Sequence, residues 1–437
     1  MELKEKLISS FWGLDSSVEV ADHINDLRGV AIKIFEQSGF PSKKEEAWKY
    51  TSLNKIVNQD YSLESKSDKT FDFNQVKKYF LHDLDSYAIV FIDGVYSAHL
   101  SHTTHDGMDI CLFSAALTKP KFRAIIENYF NKAASKDSMV SLNTAFAREG
   151  AFVHIPKHKA VEKPIQIIHF STGHDSTMLL QPRNLIIADE NSQVQIIERH
   201  QSLNSHPVFT NSVTEIFGER RSHIDYYKVQ NDFEEASLID HTFVKQEAES
   251  HCSVHTFSFG GKLIRNNLNF SQNGERIEST LKGITIIGEK QHVDHSTLVN
   301  HKAPNCESHQ DYKGIFGDQS TGVFNGRIMV DQLAQKTNAF QSNNNILISD
   351  KATINTKPQL EIFADDVKCS HGCTVGQLDE DALFYMRTRG IPKKEAQGLL
   401  TYAFANNVLE SVQIPELKQR INKLIANKLG VNIGFNL

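Results

Sequence analysis

From Ala151 to Val375 the chain runs as a long succession of short β-rich segments, among them IQIIHF from Ile165, NLIIA from Asn184, QVQII from Gln193, HIDYYKV from His223, HCSVHTF from His251, GITII from Gly283 and NILI from Asn345. Almost no helical pattern interrupts them. Polar corners separate them at Asp189–Ser192, Gly218–Ser222, Glu247–Ser250 and Asn273–Arg276, about every 26 to 29 residues before the spacing becomes irregular. A drifting period of this size suits a solenoid, in which no single coil can bury its apolar face and stacking neighbours supplies the core. A parallel β-helix is therefore the first choice. Periodic turns also mark antiparallel sheets, so the pattern alone leaves a β-sandwich open.

Helical patterns flank this region. Between Glu19 and Ser38, Val20, Ile24, Leu27, Ala31, Ile34 and Phe35 recur at steps of three and four, and Gly39 and Pro41 stop the run. A second helix is expected after Pro120, with Phe122, Ile125, Ile126, Tyr129, Phe130 and Ala133 on one side. Between them, Tyr87–Tyr96 reads as two strands joined at Asp93-Gly94, a hairpin turn signal. After residue 375, Asp379 caps a helix that Gly390 ends, Pro392 begins another, and Pro415 opens a third that ends before Gly430. These readings divide the chain into a mostly helical α/β region at 1–150, a β-helix core at 151–375 and a helical C-terminal region at 376–437. A length of 437 residues agrees with more than one domain.

Composition narrows the function. A net charge of −6 and the lack of a clustered Lys/Arg run offer no electrostatic footprint for nucleic acid or anionic lipid. The first twenty residues carry acidic groups where a signal peptide is basic, and no stretch approaches the roughly 18 apolar residues of a membrane span. A cytoplasmic protein is expected. Five scattered cysteines argue for reduced thiols rather than a disulfide framework. No P-loop is present, since Gly260-Gly261-Lys262 is followed by Leu263 and Thr256 stands where the first glycine belongs. Nor is there a G-x-S-x-G, an H-E-x-x-H or a C-x-x-C.

The segment KCSHGC, residues 368–373, carries the chemistry that remains. Thiolate and imidazole are soft ligands suited to zinc or to iron–sulfur chemistry. On a strand Cys369, His371 and Cys373 project from one face, whereas on a helix His371 turns about 200° from Cys369. The strand-like run Leu360–Lys368 precedes it, which favours the extended case. Gly372 lets a partner backbone approach closely. Other candidates read as structural. Asp365 and Asp366 point to opposite faces of a strand, and His154, His158, His169, His223, His241 and His255 read as surface or satisfied core residues. His292 and His295 flank Asp294 in what reads as a polar corner.

The run CSHGCTVGQLDEDALFYMRTRGI, residues 369–391, resembles the C-terminal signature of the SufB/SufD family of iron–sulfur cluster assembly proteins. SLNTAF from Ser141, with Gly150, Ile155-Pro156 and EKPI from Glu162, is similar to that family's entry into its core. EAWKYT from Glu46 is similar to an N-terminal motif of the SufD branch. The resemblance implies a right-handed parallel β-helix between helical ends. It also implies a non-catalytic scaffold subunit that pairs with a SufB paralogue through the β-helix and docks the SufC ATPase through its C-terminal helices. His371 and Cys369 would serve cluster assembly, with His371 buried at the interface and meeting iron or a nascent cluster that the chain alone does not hold stably. Cys373 departs from the family pattern, which has alanine there, and enters as an extra ligand candidate. A homodimer of the isolated chain stays open. The competing readings are a zinc-binding structural protein using Cys369, His371 and Cys373, and a β-helix carbohydrate-active enzyme.

Overall fold

Each polar corner turns through a non-glycine residue held at positive φ: Asn191 (56°), Arg221 (58°), Glu249 (63°), Arg276 (56°), Asn305 (61°) and Lys336 (59°). That region costs an L-residue on the order of 1–2 kcal/mol. Contacts between coils offset it. The N–H of Asn191 donates to the carbonyl of Arg220 at 3.0 Å, Arg221 to Ala248 at 3.0 Å, Glu249 to Glu275 at 2.8 Å and Asn305 to Gln335 at 2.9 Å. Every corner is thus hydrogen-bonded to the corner of the next coil, so the polar segments that set the sequence period are also the seam of the stack.

A computed structural model describes residues 2–13, 22–63, 71–81, 83–104, 107–135, 137–172 and 177–431. The chain winds as a parallel β-solenoid of about eight turns whose strands alternate between two sheets. The first sheet runs from Val95–Tyr96 and Tyr87–Ile92 at one end to Val367–Gly376 at the other. The second runs from Asp109–Leu112 and Ala151–Ile155 to Thr353–Ile362. Among the described strands all pairings are parallel except Tyr87–Ile92 with Val95–Tyr96 and Asp109–Leu112 with Ala151–Ile155. One position of the first sheet can be followed in register through Gln193, His223, His251, Glu278, Glu307, Asn338 and Lys368. Parallel pairing removes the β-sandwich from consideration.

Between the sheets, Ile167, Ile196, Tyr226, Val254 and Leu281 meet Ile186, Ile216, Val244, Phe270 and Val299 in one continuous core. The outer faces are covered by the helical ends. Leu417, Ile421 and Ile425, at steps of four on the helix Pro415–Leu429, pack with Val408 and Leu409 against Tyr227, Phe257 and Ile284 of the first sheet. Each such side chain, fully buried, contributes roughly 1.5–3 kcal/mol.

The N-terminal helices cover the second sheet, where Leu7, Ile32, Phe35 and Trp48 meet Leu179, Phe209 and Ile239. The EAWKYT motif is an anchor there. The Arg265 guanidinium lies 4.0 Å over the Trp48 ring and pairs with Asp294, and Asp294 also accepts from Thr51. Glu46 pairs with Lys357 at 2.8 Å.

The first long helix is Asp22–Ser38, and its expected start at Glu19 lies outside the described residues. Two details differ from the sequence reading. The helix after Pro120 ends at Tyr129, so Phe130 and Ala133 follow it. The run Leu360–Lys368 is not one strand: it breaks at 363–366, where Asp365 and Asp366 form an exposed corner.

Candidate functional site

Among the described residues the last strand, Val367–Gly376, has one neighbour, Thr337–Leu347, and its other edge carries no strand. Register places Cys369 beside Ala339, His371 beside Gln341 and Cys373 beside Asn343. Those three neighbours are buried and line the inside of the solenoid. Cys369, His371 and Cys373 therefore continue the inner row on a coil that no further coil covers, with Cys369 half-buried and the other two exposed. Extended backbone does bring the three to one face. In the chain by itself His371 is exposed, because burial in a solenoid needs a coil on both sides and this strand has one among the described residues.

The floor under the motif is made of amides. Gln341 donates through Nε2 to Gln310 Oε1 at 3.2 Å, while its own Oε1 is buried without a partner. Asn345 donates to Asn343 Oδ1 at 2.8 Å and to the carbonyl of Thr374 at 3.3 Å. From the other sheet, Thr356 leaves a buried hydroxyl unpartnered. A group arriving over the open coil meets hydrogen-bonding capacity that the chain does not use itself.

Cys369 differs from its neighbours in the row. It packs with Leu360 and Val367 against a small cluster containing Ala339 and Ile328, and burial pushes its thiol pKa up. Ligation by Cys369 thus requires a cation or base that draws off its proton. The three ligand atoms of the motif do not converge, because alternate residues on a strand lie roughly 6.8 Å apart. Among the described residues only His169, Glu198 and His200 bring three ligand atoms within 4.8 Å of one another. A closed tetrahedral zinc site on Cys369, His371 and Cys373 alone is accordingly not favoured.

The other histidines divide by environment. His154 lies between Asp109 at 3.2 Å and Asp189 at 3.1 Å, His255 meets Ser411 at 3.0 Å and His241 meets Asn267 at 3.1 Å. His158 takes a positive φ of 62° in a turn, and His223 lies 3.6 Å from Asp225. His292 and His295 sit on the strand His292–His301 rather than in a corner, and alternation sends them apart. His292 meets Thr51 at 2.9 Å, and His295 meets Thr285 at 2.9 Å. Of the histidines read as structural, His169 alone belongs to a ligand cluster; its partners Glu198 and His200 give no local signal, since they join it only across a parallel pairing.

Directly after the open coil, the helix Glu380–Thr388 is capped by Asp379, which accepts from Asp381 and Ala382. It buries no residue, and Phe384 and Tyr385 are 68% and 58% exposed.

Two family models cover the chain: the SufBD protein N-terminal region over residues 3–167, and the SUF system FeS cluster assembly SufBD core domain over residues 169–404. The chain belongs to the SufBD family of iron–sulfur cluster assembly proteins. An iron–sulfur cluster assembly SufBD family protein of Synechocystis is 31% identical over 97% of this chain and 94% of that one. The protein named SufD in Escherichia coli is 29% identical over 90% of each chain. SufD of Bacillus subtilis is 25% identical over 87% of this chain and 88% of its own. This SufBD member is of the SufD type. Among its described residues no helix is long and apolar enough to cross a membrane.

Proposed function

We propose that this chain is a cytoplasmic, non-catalytic scaffold subunit that uses the open coil to pair with a SufB paralogue and presents His371 to a nascent iron–sulfur cluster at the junction. The observation that carries this reading is the uncovered inner row of Cys369, His371 and Cys373 on an unpaired strand edge. An unpaired edge is a template for a strand from another molecule, and main-chain hydrogen bonds with a sister solenoid would satisfy it. Such pairing would lay a second coil over His371 and fix the tautomer of a ring that the chain leaves without a hydrogen bond among the described residues. Cys369 is the second residue of the site, held in reserve as a thiol until a cation approaches. Cys373 is the extra ligand at the exposed end.

Nucleotide chemistry belongs to a partner in this reading, since the chain carries no P-loop. The exposed helix Glu380–Thr388 is the surface proposed to dock the SufC ATPase. Because three residues join it to the last strand, movement of a docked ATPase would pull on the coil that bears His371 and open the junction. The test is His371→Ala in the complex co-expressed with both partners. Anaerobic reconstitution is expected to show loss of cluster formation by the intact complex. Cluster formation at the wild-type rate would overturn the reading.

A further inference from the structure

Deep in the first coils, far along the same sheet from the open end, two histidines are stacked by the fold itself. His169 on Ile165–Ser171 and His200 on Gln193–Ser202 are register partners, with ring centroids 4.7 Å apart and planes at 12°. Phe91 stacks on the other side of His169 at 5.1 Å. Glu198 lies two residues before His200 and so shares its inward face. Its Oε1 is 3.6 Å from Nε2 of each histidine.

All three residues are buried, and His169 Nε2, His200 Nε2 and Glu198 Oε2 have no hydrogen-bond partner among the described residues. A separation of 3.6 Å is too long for a good N–H···O bond. It is close to the distance of about 3.4 Å between two ligands held at about 2.1 Å from a tetrahedral ion.

Charge supports the same conclusion. Lys228 contacts both Glu198, at 3.7 Å, and Asp240. Two buried carboxylates thus share one ammonium, and a further positive charge is needed beside Glu198. A cation held by Glu198 and the two histidines would supply it. A route exists as well. A cavity of about 20 Å³, the size of one small ion or water, adjoins the site at His169 and His200 without reaching Glu198. His169 also lines an open cleft of about 660 Å³ walled by Phe91, Gly94, Arg148 and Pro182.

We propose that His169, Glu198 and His200 bind one first-row divalent transition-metal ion inside the solenoid, entering past His169. Two imidazoles and one carboxylate suit zinc, cobalt or ferrous ion and leave a coordination position free. Asn184, which donates to Glu198 Oε1 at 2.8 Å, orients the carboxylate. The proposal does not depend on the open coil.

The test is anaerobic titration of the metal-stripped full chain with Co(II), followed by its visible ligand-field absorption. One ion per chain is expected. Affinity should fall at least about tenfold in His200→Gln and in Glu198→Gln, and should be unchanged in a Cys369→Ser, His371→Ala, Cys373→Ser triple variant. Loss of the signal in the triple variant alone, or its persistence in both single variants, would overturn the assignment. X-ray absorption of the zinc-loaded wild-type chain provides a readout that no folding defect can confound. Imidazole scattering with nitrogen and oxygen neighbours supports the site; a sulfur shell, or no stoichiometric zinc, refutes it.

Discussion

Two polar clusters occupy the inner face of one sheet, and they differ in what lies above them. A single file of register partners joins them: Glu198, Lys228, Thr256, Gly283, Tyr312, Asn343 and Cys373. At its start the ionisable groups have coils on both sides and are enclosed together. At its end Cys373 and its neighbour His371 have a coil below and, among the described residues, none above. Histidine is therefore enclosed with buried carboxylates in one place and part of an uncovered row in the other. Function in a solenoid follows from coverage as much as from chemistry.

The sharpest way to break this contrast is to truncate one side chain at each end. Lys228 is 4% exposed, donates to Thr242 at 2.6 Å and contacts both buried carboxylates. Lys228→Ala strands two anions in the core and is expected to cost about 3–5 kcal/mol. His371→Ala, on the uncovered coil, should stay within about 0.5 kcal/mol. Urea midpoints of the isolated chain compare the two. Equal losses would mean that the last coil is closed after all.

Acid provides the next contrast. Burial lowers His255, His295 and His301 from the ordinary 6.5 to about 4. Between these values the unfolded chain holds a proton that the native chain lacks, so native stability falls as pH drops from about 6.5 towards 4. His301 is the cleanest case, since burial is the only cause and its ring meets Ser308 at 2.9 Å. His301→Gln is expected to remove close to one proton from the slope of stability against pH in that window. An unchanged slope would show that the solenoid interior admits the charge.

Much of this was legible in the sequence, and the reasons are local. The corners at Asp189–Ser192 and Glu247–Ser250 betray themselves because each needs polar groups and a residue that tolerates positive φ. The hairpin at Asp93-Gly94 formed as read, with φ of 51° and 79° at the turn. The shared face of Cys369, His371 and Cys373 follows from strand alternation alone. What escaped is non-local. Successive coils differ in length, so no count along the chain reveals that His169 meets His200, or that Tyr87–Ile92 joins the sheet of the core. The exposure of His371 was hidden for a related reason: nothing within KCSHGC says that no coil follows. EAWKYT was recognisable as a motif, yet its role emerges only when Trp48 lies under Arg265.

The smallest expected effect tests the comparison on backbone alone. A Cβ on Gly283 would lie 2.4 Å from Cδ1 of Tyr312, a ring already held by His295 and Phe324, each with its centroid 5.2 Å away. The ring has no room to yield, so Gly283→Ala should cost about 1–3 kcal/mol. A Cβ on Gly372 meets nothing within 4 Å. Gly372→Ala should therefore change the urea midpoint of the isolated chain by less than about 0.5 kcal/mol. Its effect should appear only when a paralogue is added, because a second solenoid laid across the open coil would occupy that space. Size-exclusion chromatography of the mixed pair is the measurement. Weakened pairing with unchanged stability places the partner against the last strand, whereas pairing as tight as the wild type moves the interface elsewhere on the solenoid.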